Sequence, residues 1–257
     1  MSDGPGFLYS VYERRLLREI DPARLPRHIG VILDGHRRYA RAEGLPDYQA
    51  SYRKGMQRFE EFLGWTTEPR IPAITAWVLS PQNLERPSEE LDPYFEVLIE
   101  LFARLGPLAE RYDLHIRPIG RMDLLPDHLV TAATALEAAC PSGKATLNIA
   151  LGYGGREEIV DAARRLVSDL VTAGVPPDEL AEHVTDESLG AHMYSPDVPD
   201  ADLIIRTSGE SRMSGFLLWQ SAYSEFAFVD VFWPQFRRVD YLRTLRDFSR
   251  RDRRFGR

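Results

Sequence analysis

Asp34, Gly35, Arg37 and Arg38 follow directly on the apolar run "HIGVIL" (28 to 33), so one carboxylate and two guanidinium groups leave a strand-like segment together. Backbone N–H groups at a strand-to-helix turn, reinforced by paired arginines, can hold a phosphate or diphosphate. Asp34 would be repelled by that anion unless a cation lay between them. This points to Mg²⁺, a hard ion commonly held by one or two carboxylates together with phosphate oxygens. Taken alone, the stretch also fits an ordinary turn with Asp34 as a cap and both arginines solvated. His36 sits inside it, and its type is the one whose unperturbed titration falls near neutral pH. A neutral imidazole there could accept a proton, or its bulk could displace a ligand.

Two more stretches carry similar chemistry. "LSPQNLERP" (79 to 87) places Ser80, Asn83 and Arg86 after a second apolar run. Ser80 and Asn83 can orient a polar group or pass a proton, and Arg86 is a further anion ligand; a plain Pro-bounded loop is the alternative. "IIRTSGESRMSGFLLW" (204 to 219) sets Arg206 and Arg212 six apart, with Ser208 and Ser214 interleaved and Phe216 to Trp219 following. Bidentate arginine contacts suit a second anionic group, and the adjacent apolar wall suits an amphiphilic ligand. Glu225 begins the next apolar run and could reach a metal.

The elements that would position these residues read as an alternation. Helical spacing over 8 to 20 puts Leu8, Val11, Leu16 and Ile20 on one face. Strands are expected at 28 to 34, 73 to 80, 114 to 120, 145 to 153, 202 to 208 and 225 to 231. Helices are expected at 48 to 65, at 88 to about Tyr112 with Ser88 as N-cap, at 127 to 139, and at 155 to 174 closed by Gly174. Gly106-Pro107 should kink the second of these. Strands separated by helices argue for a mainly parallel sheet with helices on both faces, an α/β fold in one domain over 1 to 257. Ligands of such sheets sit beyond the carboxyl ends of the strands, where Asp34, Ser80 and Arg206 all fall.

Composition closes off several classes. One cysteine, Cys140, excludes an internal disulfide framework and a multi-cysteine zinc site. The net charge of −7 speaks against bulk nucleic-acid binding. Residues 237 to 257 run the other way, with nine Arg against three Asp, as a solvated helix face and tail, a subunit contact or an attraction to anions would. No apolar run approaches the roughly 20 residues of a membrane span, and "MSDGPGFLYS" has no secretory-signal pattern, so a cytoplasmic protein without an integral membrane segment is expected. The Walker pattern, H-E-x-x-H and G-x-S-x-G are all missing.

"HIGVILDGHRRYA", "LSPQNLERP", "NIALGYGGREEIVDA" and "DLIIRTSGESRMSGFLLWQSAYSEF" together resemble the blocks of the cis-prenyltransferases, the undecaprenyl diphosphate synthase family. Within it the chain is similar to the actinobacterial short-chain (Z,E)-farnesyl diphosphate synthase type, and the blocks cover nearly its whole length. The resemblance implies a parallel sheet ringed by helices around a hydrophobic tunnel, a homodimer, Mg²⁺, and isoprenoid diphosphate substrates. It makes Asp34 the Mg²⁺ ligand, and Gly35, Arg37, Arg38 and Arg86 the allylic diphosphate site. Arg206, Arg212 and Ser214 become the homoallylic site, and Ser80 and Asn83 are tied to proton removal. Glu225 matches a residue that reaches the metal, often across the dimer.

The departures cluster in one place. His36 stands where the family has Asn, Tyr39 where it has Trp, Pro81-Gln82 where it has Ser/Thr-Glu, and Leu84 where Trp is usual; Gly152 is shared with the short-chain type. With both diphosphate sites kept, the changes imply altered substrate geometry rather than lost catalysis. Three readings follow: head-to-tail condensation of a dimethylallyl or geranyl diphosphate with isopentenyl diphosphate to a short product; irregular head-to-middle condensation to a lavandulyl-type branched diphosphate; or a non-catalytic partner subunit.

Overall fold

All five residues of β1 (His28–Ile32) are buried, as a strand covered on both faces requires. The computed structural model describes residues 7–251. Five more strands join β1 in one sheet: β2 (Ala73–Trp77), β3 (Leu114–Ile119), β4 (Ala145–Ala150), β5 (Leu203–Arg206) and β6 (Glu225–Phe228). Their order is β3-β4-β2-β1-β5-β6, and every neighbouring pair is parallel. Each strand stops one to three residues short of its sequence-based end, because the last residues turn away to form the loops over the sheet.

The connecting helices are α1 (Phe7–Glu19), α2 (His36–Ala42), α3 (Tyr48–Thr67), α4 (Ser88–Tyr112), α5 (Asp127–Ala139), α6 (Gly155–Thr172), α7 (Asp186–Gly190) and α8 (Arg238–Arg250). Asp47 caps α3, its carboxylate accepting from the Ala50 N–H at 2.8 Å. Gly174 closes α6 with φ of +81°, the left-handed turn that favours glycine after a helix. Two expectations for α4 are corrected. Pro87 occupies the cap position and Ser88 is the first helical residue, which leaves Glu89 and Glu90 in the first turn, where the helix dipole favours them. The helix also runs unbroken through Pro107. Ala103, whose carbonyl Pro107 cannot bond, is exposed and open to water, while Leu98, Leu101, Phe102, Leu105 and Ala109 hold the opposite face in the core.

The larger core joins one face of the sheet to α3, α4, α5 and α8. A smaller one on the other face gathers Ile32, Ile119, Ala150, Tyr153, Ile204, Phe216 and Leu217. Gly30 packs tightly against it: a Cβ there would lie 2.5 Å from Ile204 Cδ1 and 2.9 Å from Phe216. The arginine-rich segment after residue 237 is α8 as far as Arg250, with Arg237, Arg238, Arg246 and Arg250 paired to carboxylates; residues 252 to 257 lie outside the described residues, as does the side chain of Leu8. No helix among the described residues is long and apolar enough to cross a membrane.

Candidate active site

The carboxyl ends of β1, β2 and β5 converge on a cavity of about 460 Å³ lined by Asp34, Gly35, His36, Arg37, Arg38, Ser80, Asn83, Arg86, Arg206 and Ser214. Ten of the twelve site residues read from the sequence therefore meet in one place. Gly35 makes the turn: its φ is +106°, and a Cβ would lie 2.7 Å from Phe232 and 3.0 Å from the Ser208 Cβ. The cap of α2 thus needs glycine for conformation and for space.

Asp34 leaves β1 facing Arg206, which is buried at the end of β5. Arg206 Nη2 donates to Asp34 Oδ2 at 2.8 Å, and Arg38 Nη2 lies 3.6 Å from Oδ1. Burial pushes the Asp34 carboxyl up, but the hydrogen bond and charge of Arg206 outweigh it and hold the group below the usual carboxylate range. The other guanidinium nitrogen of Arg206, Nη1, donates to Ser214 Oγ at 2.8 Å and to the Arg212 carbonyl. Arg206 therefore ties the turn after β1 to the loop that carries Ser214. Arg38 donates to Ser208 Oγ at 2.6 Å and to Glu210 at 3.2 Å. Arg212 pairs with the same Glu210 at 2.6 Å and stands mostly exposed at the rim rather than in the wall.

Ser80 and Asn83 cap a short 3-10 turn over Pro81–Glu85, each side chain bonded to the other's backbone, Ser80 Oγ accepting from the Asn83 N–H at 3.2 Å. Both also line the cavity. Pro81 suits the first position of such a turn. Arg86 and Arg37 converge on one carboxylate, Glu90, at 3.1 Å and 3.5 Å. Tyr52 OH donates to the same Glu90 at 3.0 Å.

His36 departs from its sequence-based reading as a group titrating near neutral pH. Burial pushes the imidazole down to about 4, so it is neutral at physiological pH. Nδ1 lies 3.4 Å from the Ser51 carbonyl, and Nε2 is buried without a partner. The ring fills a notch in α3: a Cβ on Gly55 would lie 2.0 Å from His36 Cε1. Tyr39, the other departure on α2, is buried and accepts from Lys54.

Glu225 stands apart. It opens β6 in register with Leu203, which is in register with Ile29, five residues before Asp34. At ~3.3 Å per residue that is about 16 Å from the Asp34 end of the sheet. In this chain Glu225 pairs with Arg251 instead.

Spacing missed several wall residues. Arg41 and Tyr94 also line the cavity, as do Tyr52, Trp77, Val78 and Leu79. Arg41 follows Arg37 by four residues on α2, so helical period was the available signal for it. Beneath Tyr52 and Tyr94, whose rings lie 4.5 Å apart, Met56, Phe59, Leu98 and Leu101 belong to the buried core.

Five arginines against one wall carboxylate, with an aromatic floor, suit a polyanionic head group on a short apolar body. The chain resembles known proteins over this same span. The undecaprenyl diphosphate synthase family model matches residues 32–256. An isoprenyl transferase of Thermus thermophilus is 49% identical over 257 residues, covering 97% of this chain and 96% of the relative. A (2Z,6E)-farnesyl diphosphate synthase of Thermobifida fusca is 47% identical, covering 97% of each. The crystal structure of lavandulyl diphosphate synthase from Lavandula x intermedia, in complex with dimethylallyl diphosphate, has a TM-score of 0.84 at 29% identity, covering 91% of this chain and 100% of that one. The family match takes in every residue of the cavity, and the chain belongs to the undecaprenyl diphosphate synthase family, as an enzyme that transfers isoprenyl groups.

Proposed function

We propose that this protein is a cytoplasmic, Mg²⁺-dependent homodimeric synthase that condenses a short allylic diphosphate, dimethylallyl or geranyl, head to tail with isopentenyl diphosphate. The observation that carries this reading is the pair of arginine groups flanking Asp34. Arg37, Arg38 and Arg86 would hold the allylic diphosphate, and Arg206, Arg212 and Ser214 the homoallylic one.

The chemistry follows from the charges. As the allylic C–O bond breaks, negative charge grows on the leaving diphosphate, and preset guanidinium groups stabilise it without reorganising. Trp77, Leu79, Tyr52 and Tyr94 shield the allylic cation from water. The alkene of isopentenyl diphosphate attacks that cation, and the departing diphosphate takes the proton released from the new carbocation. Ser80 and Asn83 would orient that oxygen at the end of β2.

The donor set fits Mg²⁺. Among the described residues no three carboxylate or imidazole groups cluster, and Asp34 is the single carboxylate in the cavity wall. A hard cation held by one carboxylate and by substrate oxygens needs no more. When bound, Mg²⁺ would neutralise part of the leaving diphosphate. Glu225 can contribute only from a second protomer. The exposed edge of the sheet favours one: β6 carries stacked Phe226 and Phe228, and Tyr223 beside it is 75% exposed.

The cavity of about 460 Å³, floored by the Tyr52 and Tyr94 rings, favours a short product. A product of two or three isoprene units is the expectation.

Incubation with geranyl diphosphate and Mg²⁺, offering isopentenyl or dimethylallyl diphosphate separately, tests the reading by the carbon skeleton formed. A linear three-unit diphosphate from isopentenyl diphosphate is expected. The likeness to the lavandulyl enzyme favours a second reading, head-to-middle condensation, and a branched product from dimethylallyl diphosphate would establish it instead.

A further inference from the structure

Glu158, in the first turn of α6, is a buried carboxylate outside the cavity. Three donors face it: Tyr153 OH, the Tyr194 backbone N–H at 3.0 Å and Gln220 Nε2 at 3.0 Å. Among the described residues it forms no ion pair, so these neutral hydrogen bonds and the start of α6, with a longer-range contribution from the Arg165 charge, favour the carboxylate. Burying a carboxylate this way is costly, and burial pushes its pKa up. The arrangement calls for a use.

Gln220 belongs to the segment from 207 to 224, which holds no strand or long helix yet carries Arg212 and Ser214. Ser208, Ser214 and Leu217 all have φ between +46° and +80°. Such conformations are strained in non-glycine residues and persist only where the surroundings dictate them. The surroundings of Ser214 and Leu217 include the start of α6. The Gly155 N–H donates to the Gly215 carbonyl at 2.7 Å, and a Cβ on Gly155 would lie 2.7 Å from that oxygen and 2.8 Å from Leu218. Phe216 stacks on Trp77 at 5.2 Å, a cavity wall residue whose indole N–H donates to the Tyr153 carbonyl at 2.9 Å. Glu158 bonds both the tyrosine on one side of this contact and Gln220 on the other.

We propose that Glu158 is a positioning residue for the homoallylic half of the site: through Gln220 and Tyr153 it clamps the strained 214–221 segment and so presents Ser214 and Arg212 to the acceptor diphosphate. This rests on the function proposed above for Arg206, Arg212 and Ser214. Glu158 itself touches no substrate. The allylic half, built on α2 and the loop before α4, has no bond to it.

The test compares wild type with Gln220→Leu, Glu158→Gln and the swap Glu158→Gln/Gln220→Glu. Gln220→Leu leaves Glu158 two donors, and Gln220 Oε1 has no partner to lose, so this variant should fold. Its KM for isopentenyl diphosphate should rise about tenfold, with the KM for geranyl diphosphate changed less than twofold and kcat little altered. Glu158→Gln sets an amide among three donors and should be worse; the swap restores an amide-to-carboxylate bond and should recover part of the loss. Amide exchange should quicken at 207 to 221 in Gln220→Leu and not at 34 to 45. Equal rises in both KM values, or unchanged exchange in a folded Gln220→Leu, would overturn the inference. A wild type that never consumes isopentenyl diphosphate would instead sink the proposed function, and the exchange comparison would still decide the clamp.

Discussion

His28, the first residue of β1, has both ring nitrogens engaged: Nδ1 donates to the Pro199 carbonyl at 2.7 Å, and Nε2 lies 2.8 Å from Thr75 Oγ1. The Asn148 amide donates to that same hydroxyl at 3.2 Å, so the chain of bonds is satisfied with His28 neutral and Nε2 accepting. Burial pushes this imidazole down to about 4. The unfolded chain binds a proton at its ordinary value while the folded one refuses it, so the stability contribution is complete above about pH 6.5 and is lost as pH falls towards 4. At ~1.4 kcal/mol per unit, the loss reaches on the order of 3 kcal/mol. Urea unfolding at pH 7 and pH 4.5 should show wild type losing about 2 kcal/mol more than His28→Gln, which titrates nowhere in that range. Equal losses would mean that His28 is charged in the folded protein. None of this was legible in the sequence, where six histidines stand singly; strand pattern reports that position 28 is buried, not which carbonyl waits beside it.

Elements were far more legible than their contacts. Strands buried on both faces read as β-branched apolar runs, and helices of this length show their period, so the strand and helix order followed from the chain. Pro107 misled because the rule against proline in helices assumes a carbonyl with nowhere else to go, and Ala103 has water. At the site, charged residues at strand ends identified the cavity, whereas its aromatic floor depends on how α3 packs against α4. Gly55 shows the same limit. In the middle of α3 a glycine looks like a defect, and alanine there should stabilise a helix by about 1 kcal/mol. The notch for His36 reverses the sign, because a Cβ would come within 2.0 Å of Cε1 and 2.8 Å of Nδ1. Gly55→Ala should lower stability by roughly 1–3 kcal/mol and reduce turnover by displacing the first turn of α2. In Gly55→Ala/His36→Ala the new methyl occupies space the ring has left, so thermal denaturation should find the double variant more stable than the two single losses summed. Additive losses would mean that ring and notch are not coupled.

At the scale of the whole molecule, the sheet leaves β6 as its edge, with Glu225 at the far end from Asp34. An open edge bearing aromatic side chains tends to pair, and a two-fold pair presents the same patch on both protomers. If each Asp34 is completed by the Glu225 of its partner, the two residues belong to one site but to different chains. Asp34→Ala and Glu225→Ala proteins should each be nearly inactive as homodimers. Co-expressed, half of the dimers would be mixed. In a mixed dimer one site lacks both carboxylates, while the other has its own Asp34 and receives an intact Glu225. Activity should therefore return to about a quarter of wild type, since one site in four is whole under random pairing. Were Glu225 to serve the Asp34 of its own chain, every site would lack one carboxylate and mixing would restore nothing. The readout is diphosphate release from geranyl and isopentenyl diphosphates with Mg²⁺, together with sedimentation of each variant to establish that it still dimerises.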